Sequence, residues 1–161
     1  MHDVLKLAEK FEIEGYKFYY SKAKEIKSKV VETIFLNLAQ MEKEHTEFIQ
    51  RLMKEIEEGR EITEFPTNAQ QTFKSEYEKQ KIDKTTQEDD LMDLAVLRLA
   101  YLIEKDFMEF YEKAAQNEKD VKVKSVLELL RNWEEGHKKI IEEQIKAIIE
   151  KNNLELGFYP F

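Results

Sequence analysis

Apolar residues recur along this chain at intervals of three and four, the spacing that gathers side chains on one face of an α-helix. Val4, Leu5, Ala8, Phe11, Gly15, Phe18 and Tyr19 form the first stripe and predict a helix over about 3–27. Val31, Phe35, Leu38, Ile49, Leu52 and Ile56 predict a second over about 29–58, stopping at Gly59, a residue suited to the left-handed turn after a helix. Leu94, Leu97, Tyr101, Met108, Tyr111 and Ala115 predict a third over about 88–118, with Thr86 or Asp89 as N-cap. Val123, Leu127, Leu130, Ile141 and Ile148 predict a fourth over about 120–151.

The links between these helices are unequal, and this sets the topology. The first and second helices, and likewise the third and fourth, are separated by only a few residues around Ser28 and Asp120, both good N-caps, so each pair is an antiparallel hairpin. Residues 59–87 between the hairpins, with Pro66 and a weakly helical stretch over 67–81, are long enough to return along the bundle. The expected fold is therefore all-α: a single domain over 1–161, in which two antiparallel hairpins joined by one long crossover make a four-helix bundle.

The hairpins also repeat. A shift of 92 residues lays Glu12 on Glu104, Phe18 and Tyr19 on Phe110 and Tyr111, Ser28 on Asp120, Leu38 on Leu130, Glu42 on Glu134 and His45 on His137 without a gap. Several matched positions are polar residues that interrupt an apolar stripe. Glu42 and His45 continue the face of Phe35, Leu38, Ile49 and Leu52, and Glu134 and His137 continue that of Leu127, Leu130 and Ile141. Glu12 lies between Leu5 and Tyr19 at heptad spacing, and Glu104 between Tyr101 and Met108. Glu12 and Glu42 stand sixteen and fourteen residues from Ser28, and Glu104 and Glu134 stand likewise from Asp120. Each hairpin thus brings its pair to one level, roughly 22 Å from the turn.

Four carboxylates and two imidazoles in one core need compensation, because an unpaired buried charge costs several kcal/mol. A pair of divalent cations provides it. Residues three apart in Glu-x-x-His share a helix face and can approach one metal together. The chain has no cysteine, which excludes thiolate zinc sites, thiolate iron–sulfur clusters and disulfides. Oxygen and imidazole donors together suit iron or manganese, whereas calcium and magnesium prefer oxygen alone. Two iron ions are the expected cofactor, with manganese or zinc as alternatives.

Composition narrows the partners. The net charge of −8 is spread over mixed Glu and Lys surfaces and gives no reason to bind nucleic acid or anionic lipid. No apolar run approaches a membrane span and no signal peptide is evident, so the expectation is a soluble, cytoplasmic protein. Glu14 and Asp106 are offset from the inward positions and are expected either at the surface or behind the candidate ligands. His2 has no counterpart in the repeat and is read as an exposed terminal residue, and Trp133 as packing beside the polar cluster. The tail over 152–161, with Leu154, Phe158, Tyr159 and Phe161, is too apolar to be wholly solvated and is expected to pack on the bundle or on a neighbouring subunit.

With these residues in view the sequence resembles the rubrerythrin-like branch of the ferritin-like di-iron proteins. The likeness lies in Phe11-Glu12-Ile13-Glu14-Gly15, Phe18-Tyr19, 39–45, Ile103-Glu104, Phe110-Tyr111 and 133–137. It implies that Glu12 and Glu104 are lone helix ligands, that Glu42/His45 and Glu134/His137 are paired ligands, and that Tyr19 and Tyr111 hydrogen-bond ligand carboxylates. Peroxide-reducing rubrerythrins usually add a seventh carboxylate one turn after the lone Glu of the third helix, where this chain has Phe107. They also carry a Cys-rich rubredoxin domain, which this sequence lacks, so the expected electron donor is a separate protein.

The resulting expectation is a rubrerythrin-like oxidoreductase that reduces peroxide or dioxygen at a two-metal centre and is a homodimer. A ferroxidase or iron-storage protein and a metal-stabilised, non-enzymatic bundle are the alternatives. The absence of a fifth helical stripe after the fourth argues against a large storage cage.

Overall fold

The computed structural model describes residues 2–62 and 84–152. Four helices account for most of them: α1 (His2–Ala23), α2 (Lys29–Glu57), α3 (Gln87–Asn117) and α4 (Val121–Lys151). The packing of α1 along α2 and of α3 along α4 forms the hairpins, which meet through α1 against α3 and α2 against α4. This is the all-α, ferritin-like bundle that the stripes and link lengths imply. Among the described residues no helix is long and apolar enough to cross a membrane. The weakly helical stretch over 67–81, the tail over 153–161 and the side chain of His2 lie outside the described residues.

The helix starts follow from their caps. Ser28 accepts a hydrogen bond from the backbone N–H of Val31, Thr86 from Asp89, and Asp120 from Lys122 and Val123, each satisfying donors that have no partner inside the first turn. Thr86, rather than Asp89, therefore caps α3. At the other end of α2, Gly59 has φ +66°. Gly59 N–H bonds to Ile56 O and Arg60 N–H to Glu55 O, the paired closure that a left-handed residue after a helix permits.

The first helix stops sooner than the apolar stripe suggests, at Ala23 instead of about residue 27. Lys24 and Glu25 turn back on Ser21 and Lys22, three residues earlier, and buried Ile26 then tucks under the turn. Asp93 of α3, itself buried, accepts hydrogen bonds at 2.8 Å from the backbone N–H groups of both Lys27 and Ser28. The equivalent pair in the second hairpin, Lys119 and Asp120, is instead held by Glu118 of the same turn. Asp93 thus ties the first hairpin to the beginning of the second. Asp90, one turn earlier, binds Thr85, Asn152 and Lys151 and clasps the start of α3 to the end of α4.

Apolar burial falls into two clusters along the bundle. One joins Ile26, Phe35, Leu38, Leu94, Leu97, Ile141 and Ile145. The other joins Leu5, Ala8, Phe48, Leu52, Ala115, Leu127 and Leu130. Tyr19 belongs to the first and Tyr111 to the second, both fully buried. The layer between the clusters is polar.

A hydrogen bond from a neutral donor to a charged group contributes about 1.5–3 kcal/mol. Asp93→Ala, which leaves two backbone donors without their acceptor, is expected to cost about 3 kcal/mol. The loss should appear as a lower urea midpoint with an unchanged slope, and Asp93→Asn, which keeps one acceptor oxygen, should lose less.

Candidate metal centre

Glu12 comes from α1, Glu42 and His45 from α2, Glu104 from α3, and Glu134 and His137 from α4. The three-residue offset within each Glu-x-x-His pair keeps both side chains on the inward face of one helix. All four glutamates and His137 are fully buried, and His45 is 5% exposed. The structure brings all six together in the polar layer, as the stripe positions imply. Glu14 and Asp106 are exposed on the outside of α1 and α3.

Two overlapping donor sets result. Glu12, Glu42, His45 and Glu134 form one, and Glu42, Glu104, Glu134 and His137 the other, with the offered atoms of each set within 4.8 Å of one another. Glu42 and Glu134 belong to both. His45 Nδ1 lies 3.0 Å from Glu12 and 3.4 Å from Glu42, and His137 Nδ1 lies 3.1 Å from Glu42 and 3.6 Å from both Glu104 and Glu134. Both imidazoles therefore turn Nδ1 inward. Their rings stack at 5.3 Å and 5°, and Trp133 stacks on His45 at 4.2 Å and 13°.

The tyrosines act across the bundle. Tyr19 of α1 donates its hydroxyl proton to Glu104 of α3, and Tyr111 of α3 donates to Glu12 of α1. The two bonds are equivalent under the 92-residue shift, so the repeat in the sequence is a twofold relation in the site. Gly15 is a further positioning residue that periodicity treats as a small apolar one. A Cβ there would stand 3.2 Å from Glu42 Cδ and 3.3 Å from Cγ, so the absent side chain makes room for the Glu42 carboxylate.

Without cations this layer is electrostatically strained. Burial, followed by repulsion from Glu42, pushes the Glu12 carboxyl up to about 8. Burial and the charges of Glu42, Glu12 and Glu104 hold Glu134 well above the ordinary carboxylate range. Burial also opposes ionisation of Glu42, but the charge and hydrogen bond of His137 outweigh it and leave Glu42 below that range. For both histidines burial disfavours the cation. Hydrogen bonds from Glu12 and Glu42 overcome it at His45, and the Glu42, Glu104 and Glu134 charges overcome it at His137, so both are raised. Tyr19 and Tyr111 are raised far above 10 by burial and by neighbouring carboxylates, and so remain proton donors.

The donor set fits a metal pair by an internal test. Among the described residues, Glu42 Oε2, Glu104 Oε2, both oxygens of Glu134 and His137 Nε2 are buried without a hydrogen-bond partner. Such unpaired atoms are costly and rare, and four carboxylate oxygens pointing into one space are what divalent cations would satisfy. The molecule is thus a four-helix bundle with two overlapping carboxylate–imidazole sets that could hold metal ions.

The chain belongs to the rubrerythrin family, whose model matches residues 3–145. A solved structure of a hypothetical protein from Pyrococcus furiosus is similar over 92% of this chain and 89% of that one, with a TM-score of 0.64 and 22% sequence identity, a likeness of fold. No curated protein matches.

Two outcomes are expected of this layer. Glu12 and Glu134 hold protons in the folded, metal-free chain that the unfolded chain releases above about pH 4.5, and both histidines hold theirs beyond 6.5. Folding stability of the metal-free protein should therefore fall as pH rises from 6 to 8.5, on the order of 1 kcal/mol per pH unit for each such group. Thermal melts across that range should show the decline, and saturating metal should flatten it, since metal displaces the same protons. Gly15→Ala should displace Glu42, lower metal content and cost about 1–3 kcal/mol by overpacking, measured by metal analysis and urea unfolding.

Proposed function

We propose that the protein is a di-iron carboxylate oxidoreductase that reduces peroxide or dioxygen. In this reading Glu12, Glu42, His45 and Glu134 hold one iron, and Glu42, Glu104, Glu134 and His137 hold the other. The observation that carries it is the pair of overlapping, buried donor sets with carboxylate oxygens that have no hydrogen-bond partner among the described residues. Bound iron would supply two electrons, one from each ion, which with two protons take peroxide to two waters or dioxygen to peroxide.

The protein's own groups do the rest. Glu42 and Glu134 face both donor sets and can keep both sites together as the charge of the centre changes. Tyr19 and Tyr111 fix one oxygen of Glu104 and of Glu12 and leave the other oxygen of each to turn inward. The apolar clusters on either side exclude bulk water, which strengthens every charge interaction in the layer and restricts access to small oxidants. Phe107, at the position where the resemblance to peroxide-reducing rubrerythrins implies a seventh carboxylate, stacks on Phe11 at 5.0 Å and contributes an apolar wall. A separate reduced electron-transfer protein would restore the ferrous state.

Anaerobic titration with ferrous iron should reach two ions per chain. His45→Ala and His137→Ala should each lower that number, while His2→Ala leaves it unchanged. The loaded protein is then mixed separately with peroxide and with dioxygen while the ferric absorption is followed. Rapid oxidation, with iron retained in the bundle and reducible for a second cycle, supports the oxidoreductase. Oxidation followed by release or mineralisation of iron identifies an iron-handling protein, and inertness to both oxidants removes the redox reading.

A further inference from the structure

The torsion that turns an imidazole about its Cβ–Cγ bond is soft, so a histidine keeps one ring nitrogen aimed into a site only where its surroundings fix the ring. The two inward histidines are fixed unequally. His137 is fully buried, and its ring lies parallel to that of His45. His45 is 5% exposed, and a second ring lies parallel to its own, the indole of Trp133 at 4.2 Å and 13°. The indole is held in turn by Phe48, which meets it edge-on at 5.6 Å, while the guanidinium of Arg51 lies over Phe48. These contacts run inward from the surface of α2 to the imidazole.

The internal repeat supplies a comparison. The shift of 92 residues places Met41 opposite Trp133. Met41 is buried in the apolar cluster of the other half, and a thioether chain has no flat face to lay against His137. A bundle of this pattern therefore accepts methionine at that position, and what sets Trp133 apart is the imidazole it covers. Parallel aromatic rings attract one another beyond the area they bury, and an indole is large and rigid enough to restrain a neighbouring ring. We propose, on the reading of this layer as a metal pair, that Trp133 is a positioning residue for one ion of the two. Its stack holds His45 Nδ1 toward Glu12 and Glu42, at 3.0 and 3.4 Å, and so retains the ion of the Glu12, Glu42, His45 and Glu134 set. Without the indole, His45 turns toward water and that ion is lost first.

Zinc, which is redox-inert, tests this apart from any turnover. Each chain is loaded with zinc, passed through gel filtration and analysed for metal, and the histidine ring nitrogens are followed by NMR. The unmodified chain should keep two ions. Trp133→Met, which installs the residue of the other half, should bind one ion about tenfold or more weakly, the range in which contacts that orient a metal-binding imidazole act. In that variant zinc should still shift the His137 ring nitrogens and no longer shift those of His45. Trp133→Phe, which restores a flat ring, should recover the second ion at least in part, and circular dichroism checks that both variants fold. The proposal is overturned if Trp133→Met keeps both ions, if binding weakens equally at His45 and His137, or if Trp133→Phe binds no better than Trp133→Met. Trp133 is the only tryptophan in the chain, so its emission gives a second measurement without any substitution. That emission should change as zinc is added to the unmodified chain, and indifference to bound zinc overturns the proposal as well. An unmodified chain that takes up neither zinc nor anaerobic ferrous iron removes the metal-pair reading itself, an outcome distinct from all of these.

Discussion

Everything in this molecule is arranged around the burial of four carboxylates and two imidazoles at mid-height in a helical bundle. Charged groups in such a place demand either cations or protons, and the metal-free chain falls back on protons: Glu12 and Glu134 are raised while Glu42 stays ionised between two raised histidines. Metal would replace that arrangement with fixed positive charge. The apolar clusters on either side are therefore more than a core. They keep the helices assembled around a layer that, by itself, opposes folding.

Much of this was legible from residue spacing. Amphipathic stripes located the helices, unequal links set their topology, and the polar interruptions at Glu12, Glu42, His45, Glu104, Glu134 and His137 are the groups that meet in space. The boundary of α1 was not legible, and the turn that follows it is held by Asp93, which is some 65 residues away in sequence and reaches the turn only in the folded bundle. Asp93 nevertheless lies one turn before Leu97 on the inward face. It is a polar residue in an apolar stripe like the six site residues, and it bears the same signal. The role of Gly15 was hidden for another reason: periodicity registers a small residue as compatible with a core, but only the position of the Glu42 carboxylate shows what its missing side chain permits.

Departures from the internal repeat show where the two halves have ceased to be equivalent. Trp133 stacks on His45, while its counterpart Met41 is buried in the other apolar cluster. Gly15 admits a carboxylate, while its counterpart Phe107 stacks on Phe11. His45 reaches solvent slightly and His137 does not. Two sets with matching donors thus sit in different surroundings.

The crossed tyrosine bonds carry a genealogical consequence. Tyr19 and Glu12 belong to one hairpin, yet each is bonded to a residue of the other, and neither donor set can be completed from one hairpin. A lone hairpin would possess three members of one set, one of the other and none of the tyrosine–carboxylate bonds, whereas two identical hairpins facing each other about a twofold axis would possess all of them. The centre is thus geometrically attainable by a short ancestral peptide acting in pairs. Joining two such copies in one gene frees each from the obligation to serve both positions, and an indole could then arise beside one imidazole without being imposed on the other.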